Sequence, residues 1–280
     1  MTREVKISII IANYNNGHFF KDCYESLLAQ TAKTWEAILI DDCSTDNSVE
    51  IITRLIKDDN RFRFYKNEKN LGYQSTLVKG IELSNTQIFG RLDPDDALMP
   101  DALQLSLDTH MKNPNVGLVY SNLIICDNQL KPISVQKGKQ ISSENFFVGE
   151  ISHFATFKKD IYAKTSGISI NNKRAEDKDI YLKMCEVAPA FYIDADLYKY
   201  RIHGGGASTN QNIDKAYFWY WVALIKASER RDINIENLFL QEFVRRYQYN
   251  ILQNKLSKIK KSRLLRLFNK LGLFKAYKDL

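Results

Sequence analysis

Short runs of β-branched and aromatic residues alternate with segments of helical periodicity through the first hundred residues, and this alternation constrains the fold most. Val5–Ala12, Trp35–Ile40, Phe62–Asn67 and Ile88–Leu92 read as strands, and Phe19–Gln30, Asp46–Asp58 and Thr76–Leu83 as helices. Asp46 or Ser44 is placed to cap the second helix. Buried strands separated by helices imply a mainly parallel sheet covered by helices on both faces. In such sheets ligands bind beyond the carboxyl ends of the strands. Asn13–Asn16, Asp41–Ser44 and Asp93–Asp96 all fall at those ends, so a site is expected along that edge.

Further along, Pro100–Lys112 reads as a helix, Gly117–Cys126 as a strand and Lys131–Gly149 as a polar connection. Asp177–Glu186 is helical, Phe191–Ile193 strand-like, and Tyr198–Thr209 a glycine-rich loop. From Ile213 onward the pattern is helical almost throughout. The reading is therefore an α/β domain over residues 1–210 and a C-terminal helical extension over 211–280. With 280 residues, 44% of them hydrophobic, the chain can bury one large core.

The longest apolar stretches, Ile7–Ala12 and Tyr217–Ile225, fall short of the ~18 residues that cross a bilayer. The first residues lead straight into a strand without a signal-peptide pattern, and Cys23, Cys43, Cys126 and Cys185 are scattered without metal-ligand spacing. A cytoplasmic chain with reduced thiols is expected. Its net charge of +7 is concentrated at one end. Residues 255–280 hold nine bases and one acid, whereas residues 1–254 hold 31 bases and 32 acids. A near-neutral body argues against a nucleic-acid-binding surface. The tail spaces Leu256, Ile259, Leu264, Leu267, Phe268, Leu271 and Phe274 at helical intervals among its bases. Such a basic amphipathic helix suits either an anionic membrane surface or packing on the body.

Arg91-Leu-Asp-Pro-Asp-Asp96 carries three carboxylates at a strand end. Crowded carboxylates repel one another unless a cation offsets them. A hard divalent ion, Mg²⁺ or Mn²⁺, is commonly shared between one or two carboxylates and substrate phosphates. An acidic turn alone would be an ordinary solvated cap; its position beside two other polar strand ends marks it as a candidate metal–diphosphate site.

Ser8–Asn15, Ile38–Asp46, Asn70-Leu-Gly72, Arg91–Pro100 and Ala175–Ile180 occur in the order found in family 2 glycosyltransferases, which the chain resembles over roughly residues 5–210. That resemblance implies a GT-A-type, Rossmann-like fold and a nucleotide-diphospho-sugar donor. It implies that Ala12 and Tyr14 line the nucleobase pocket, that Asp42 accepts a hydrogen bond from the base, and that Asn70 approaches the base. Asp93 would contact the ribose or a metal-bound water, and Asp95 would ligate the metal. Asp96 would cap a helix or support the site, and Arg91 would touch a phosphate or pair with an aspartate. Asp177 would be the general base that inversion requires. His203 would close the metal site, Arg201 would neutralise diphosphate, and the glycines after His203 would let a loop order over donor. Many relatives carry an arginine where this chain has Leu77 and Val78.

The expected activity is transfer of a sugar from a UDP-sugar to a hydroxyl of a saccharide or lipid-linked saccharide. Processive synthases of this family carry membrane spans and QxxRW; neither pattern occurs here, which favours addition of one residue or a short series. A metal-dependent sugar nucleotidyltransferase is the rival enzyme. It would want a glycine-rich basic loop after the first strand, where this chain has Asn13-Tyr-Asn-Asn-Gly17. A non-enzymatic membrane- or RNA-binding module is confined by charge to the tail.

Overall fold

A computed structural model describes residues 4–142, 145–147, 150–205 and 212–271. The chain begins with β1 (Ile7–Asn13), α1 (Phe20–Leu28), β2 (Trp35–Asp41), α2 (Ser48–Ile56), β3 (Phe62–Lys66), α3 (Tyr73–Leu83) and β4 (Ile88–Arg91). A two-residue β5 (Ala97–Leu98), α4 (Ala102–Lys112), β6 (Leu118–Cys126) and β7 (Pro132–Gln136) follow. Next come β8 (Thr156–Lys158), α5 (Lys159–Tyr162), α6 (Glu176–Val187), β9 (Ala190–Arg201) and α7 (Ile213–Arg231).

Among the described residues nine strands form one mixed sheet in the order β3-β2-β1-β4-β8-β6-β9-β5, with β7 paired to β6. β3, β2, β1 and β4 are mutually parallel, as are β6 and β9. β8 joins these parallel groups by antiparallel pairing to β4 and to β6.

Every residue of β1 is buried, and its two-residue period divides them between faces. Ile7, Ile9 and Ile11 pack with Phe20, Leu27 and Trp35 on one face. Ile10 and Ala12 pack with Leu77, Ile81 and Phe89 on the other. The Ser8 hydroxyl, also buried, is satisfied by Glu36 at 2.7 Å and Thr86 at 2.8 Å. Register pairs Asn13 with Asp41 and Ile10 with Arg91, so the polar ends of β1, β2 and β4 are brought side by side.

Several local readings are corrected. The supposed loop from Tyr198 begins as the last four residues of β9, and the connection after Lys131 contains β7. α3 starts at Tyr73, three residues early, because Gly72 at φ +88° turns the chain there. The residue preceding α2 is Asn47, not Asp46 or Ser44, and Asp46 accepts the Ser48 amide at 2.9 Å from one position further out.

Two compact units divide at Ala227/Ser228, within α7. The second continues through α8 (Glu236–Phe239), a π-helical turn (Leu240–Val244), α9 (Arg245–Lys261) and α10 (Arg263–Lys270). No residue of α9 or α10 is buried. Among the described residues no helix is long and apolar enough to cross a membrane.

Gly80 marks where α3 lies closest to the sheet: a Cβ there would sit 2.4 Å from Ile10 Cγ2. Gly80→Ala gains about 1 kcal/mol of helix propensity. Overpacking a buried contact costs about 1–3 kcal/mol. The expected result is a lower urea midpoint, and a midpoint at or above wild type would contradict this packing.

Candidate active site

The strand ends are locked together by their own side-chain hydrogen bonds. Asp41 Oδ1 accepts from Asn13 Nδ2 at 2.8 Å and from the Ser44 hydroxyl at 2.5 Å, and its Oδ2 accepts the Ser44 amide at 2.9 Å. Ser44 Oγ in turn accepts the Asn15 amide at 3.0 Å. Asp42 is 2% exposed and accepts from Asn67 Nδ2, Leu71 N and Gly72 N, each at 2.8 Å. Its carboxylate therefore fixes the 67–72 loop, where the Asn70 side chain is exposed and accepts from the Gly72 amide at 3.1 Å. Beside them Ala12 is buried while Tyr14 is 47% exposed. Leu77, in the place of a family arginine, is 2% exposed and belongs to the core.

The acidic turn follows β4. Asp93 accepts from the Tyr73 hydroxyl and, at 3.4 Å, from Arg91, while its amide donates to Tyr198 Oη at 3.3 Å. Asp95 Oδ2 lies 2.8 Å from His203 Nε2. Asp96 is 1% exposed, accepting from Tyr198 Oη at 2.7 Å and from the Arg201 amide at 2.8 Å. It supports the turn from beneath and does not cap α4, whose N-terminal flank is Asp101. Arg201 also sits beneath. Its guanidinium donates to the Asp95 carbonyl, the Asn128 carbonyl and Asp22, at 2.6–2.7 Å, and lies over the Phe19 ring.

Arg91 joins this edge to α6. It pairs with Asp93, donates to Glu176 Oε1 at 3.0 Å and contacts His153 Nε2. His153 stacks on Tyr198 with centroids 4.9 Å apart. Burial, then the Arg91 charge, holds its imidazole well below the usual histidine range, so it meets Arg91 as a neutral acceptor. Glu176 and Asp177 open α6, which follows Ala175 in the left-handed region at φ +52°. A small apolar cavity of about 20 Å³, lined in part by Leu77, Phe89 and Tyr181, lies against Arg91, Glu176 and Asp177.

Burial pushes the Asp95 carboxyl up, with the Asp93 charge second, although the His203 bond opposes the shift. Asp96 is pushed up more strongly by burial and by both neighbouring aspartates. A cation relieves this repulsion. Among the described residues no group of three or more His, Cys, Asp or Glu side chains is arranged to hold a metal ion. Asp95 and His203 nevertheless supply a carboxylate and an imidazole at one point, a donor set that fits a divalent ion completed by phosphate oxygens and water.

The family model described as glycosyl transferase family 2 matches residues 8–177, spanning every strand-end cluster and ending on Asp177. The chain belongs to glycosyl transferase family 2. As a glycosyltransferase it is separated from the nucleotidyltransferase and the non-enzymatic readings. It is similar to a chondroitin synthase of Escherichia coli, at 32% identity over 204 residues, covering 72% of this chain and 30% of the relative. A hyaluronan synthase of Pasteurella multocida is 28% identical over 204 residues, covering 72% and 21%. The chain thus spans less than a third of the length of these synthases.

The fold is shared with solved glycosyltransferases. A fragment of S. aureus TarS in complex with UDP-GlcNAc superposes with TM-score 0.63 at 15% identity, over 78% of this chain and 65% of that one. The mannosyltransferase PcManGT of Pyrobaculum calidifontis, in complex with GDP-Man and Mn²⁺, gives 0.65 at 14% identity, over 99% and 83%. The expected GT-A fold is thereby shown for this glycosyltransferase.

Tyr73, His153 and Tyr198 complete the site and were not singled out from sequence. Tyr73 follows the Asn70-Leu-Gly72 motif directly and could have been included with it. His153 carries no local signal. Of the segment after His203, residues 206–211 lie outside the described residues, so the expectation of a glycine-rich closing loop falls partly there.

Burial, then the Asp177 charge, raises Glu176 from 4.5 to about 7, against the pull of Arg91. The folded state holds this proton more tightly than the unfolded chain. The corresponding stability is full below about pH 4.5 and is lost as pH rises through about 7. Glu176→Gln keeps an acceptor for Arg91 and removes the titration. Its unfolding free energy should fall less than wild type between about pH 5 and 8, by on the order of a few kcal/mol. Parallel urea-unfolding profiles would contradict this.

Proposed function

We propose that this enzyme is an inverting transferase that moves a sugar from a UDP-sugar to a hydroxyl of a saccharide or lipid-linked saccharide, in the synthesis of bacterial surface polysaccharide. The observation that carries the proposal is the Arg91 guanidinium, held by Asp93 of the acidic turn and Glu176 of α6. One buried cation thereby ties the diphosphate edge to the segment that presents Asp177.

In this reading Tyr14 offers an exposed ring to the uracil, with Ala12 leaving room beside it. Asp42 acts on the base with Asn70, through the loop that it anchors. Asp93, oriented by Tyr73 and Arg91, faces the ribose. Asp95 and His203 would hold Mn²⁺ or Mg²⁺, which when bound neutralises charge on the leaving diphosphate. Arg201 contributes its charge from behind the turn while holding the Asp95 carbonyl. Asp177 takes the acceptor proton as that hydroxyl attacks the anomeric carbon from the face opposite the diphosphate. Support comes from the shared fold of structures bound to UDP-GlcNAc and to GDP-Man with Mn²⁺.

The place of action in this reading is the cytoplasmic face of the membrane, with the basic tail on anionic lipid. Leu264 and Leu267 of α10 are exposed among Arg263, Arg266 and Lys270; residues 272–280 of the tail lie outside the described residues. Removing residues 255–280 should abolish co-flotation with anionic vesicles and leave UDP binding intact; unchanged flotation would reject the membrane role.

Asp177→Asn should lower transfer by about 10²–10⁴-fold, the usual contribution of a general base. Metal-dependent stabilisation by UDP in a thermal-shift assay should persist. Near-wild-type turnover would remove Asp177 as the base, and absence of any UDP effect in the wild type would remove the donor assignment.

A further inference from the structure

An open cleft of about 550 Å³ is lined by Lys173, Arg174, Asp214, Lys215, Phe218 and Trp219. Asp214 with Phe218, and Lys215 with Trp219, are i, i+4 pairs, so they share one face of the first turns of α7. Lys173 and Arg174 belong to the segment that leads into α6. Arg174 Nη2 donates to Asn212 Oδ1 at 2.9 Å, tying that segment to the start of α7. Two residues later, Glu176 is tied to Arg91. Residues 174–177 therefore run from the cleft to the edge where the acidic turn lies. Three virtual bonds separate Arg174 from Asp177, so their Cα atoms are at most about 11 Å apart.

The lining is unusual for a surface maintained by folding alone. Among the described residues it gathers Lys173, Arg174 and Lys215 with Asp214, a cationic excess that an anionic group would complement. Phe218 is 60% exposed, with its ring 5.5 Å from Trp219 and nearly perpendicular to it. Exposed aromatic surface beside converging charges is the composition of a ligand site. Arginine and lysine together suit a carboxylate or a phosphate, while aromatic rings suit the apolar face of a sugar.

We propose that this cleft is the acceptor subsite and that it selects a saccharide bearing an anionic group, either a hexuronate carboxylate or a phosphate ester. The sugar ring packs on Phe218 and Trp219, the anion meets Lys173, Arg174 and Lys215, and the acceptor hydroxyl reaches Asp177. This rests on Asp177 as the base.

The test is calorimetric titration of the full chain, with UDP and Mn²⁺ present, against three tetrasaccharides. One alternates hexuronate and N-acetylhexosamine, the second is its carboxyl-reduced neutral counterpart, and the third is that neutral form carrying a reducing-end phosphate. At least one anionic probe should bind about 10-fold or more tightly than the neutral one, the scale of a charge-assisted contact. The carboxylate or the phosphate arm, whichever is tighter, identifies the group selected. The double variant Lys173→Ala, Lys215→Ala should lose the preference while its UDP affinity stays at the wild-type value. Trp219→Ala should weaken all three probes. Equal affinity of the wild type for all three probes, or an undiminished preference in the double variant, would overturn the proposal. A wild type that binds the anionic probes selectively but shows no affinity for UDP would leave the cleft standing and remove the donor reading.

Discussion

Carboxylates crowd one edge of this sheet, and most of the surrounding structure answers that crowding. Asp41 is held by Asn13 and Ser44, Asp42 by loop amides, Asp93 by Tyr73 and Arg91, and Asp96 by Tyr198 and the Arg201 amide. Most of these donors are neutral, so they orient the oxygens without cancelling their charge. Burial, and after it the charge of neighbouring aspartates, keeps the carboxyls of Asp95 and Asp96 raised against these bonds, and the turn remains receptive to a cation.

Arg91 is the main exception. It is a largely buried cation set between Asp93 and Glu176, with a neutral His153 completing its contacts. Buried ion pairs add little stability over apolar packing, yet removing one partner leaves an uncompensated charge and is costly. That asymmetry makes Arg91 a device for geometry: the acidic turn and the start of α6 must keep a fixed relation or lose their shared partner. Glu176, its carboxyl raised by burial to about 7, is the titratable member of the set.

The parts of the site read from sequence were those on parallel strands. β1 and β2 are buried for nearly all their length and β4 pairs parallel to β1, which places the three carboxyl ends together, so Asn13, Asp41, Asp42 and Asp93 group from order and polarity. Harder to read were elements whose identity depends on a distant partner. β8 has three residues and exists through its pairing with β4 and β6, yet it follows directly on the segment holding His153. In β9 none of Phe191–Asp196 is buried and burial resumes only at Leu197, Tyr198 and Arg201, so its end carries no regular strand period in the sequence.

By itself, the sequence determined the fold class, the family and which polar clusters share a sheet edge, because hydrophobic period and motif order are local properties of the chain. Only the tertiary structure decided how each charge is used. The family resemblance implies that Arg201 neutralises diphosphate, whereas its donors meet Asp22 and the carbonyls of Asp95 and Asn128 beneath the turn. Arg91 instead became the link between the turn and α6, and Lys173 and Lys215 met across 42 positions of chain at one cleft. Hydrogen bonds and ion pairs act over a few ångströms, and which groups come that close is settled by packing, not by position along the chain.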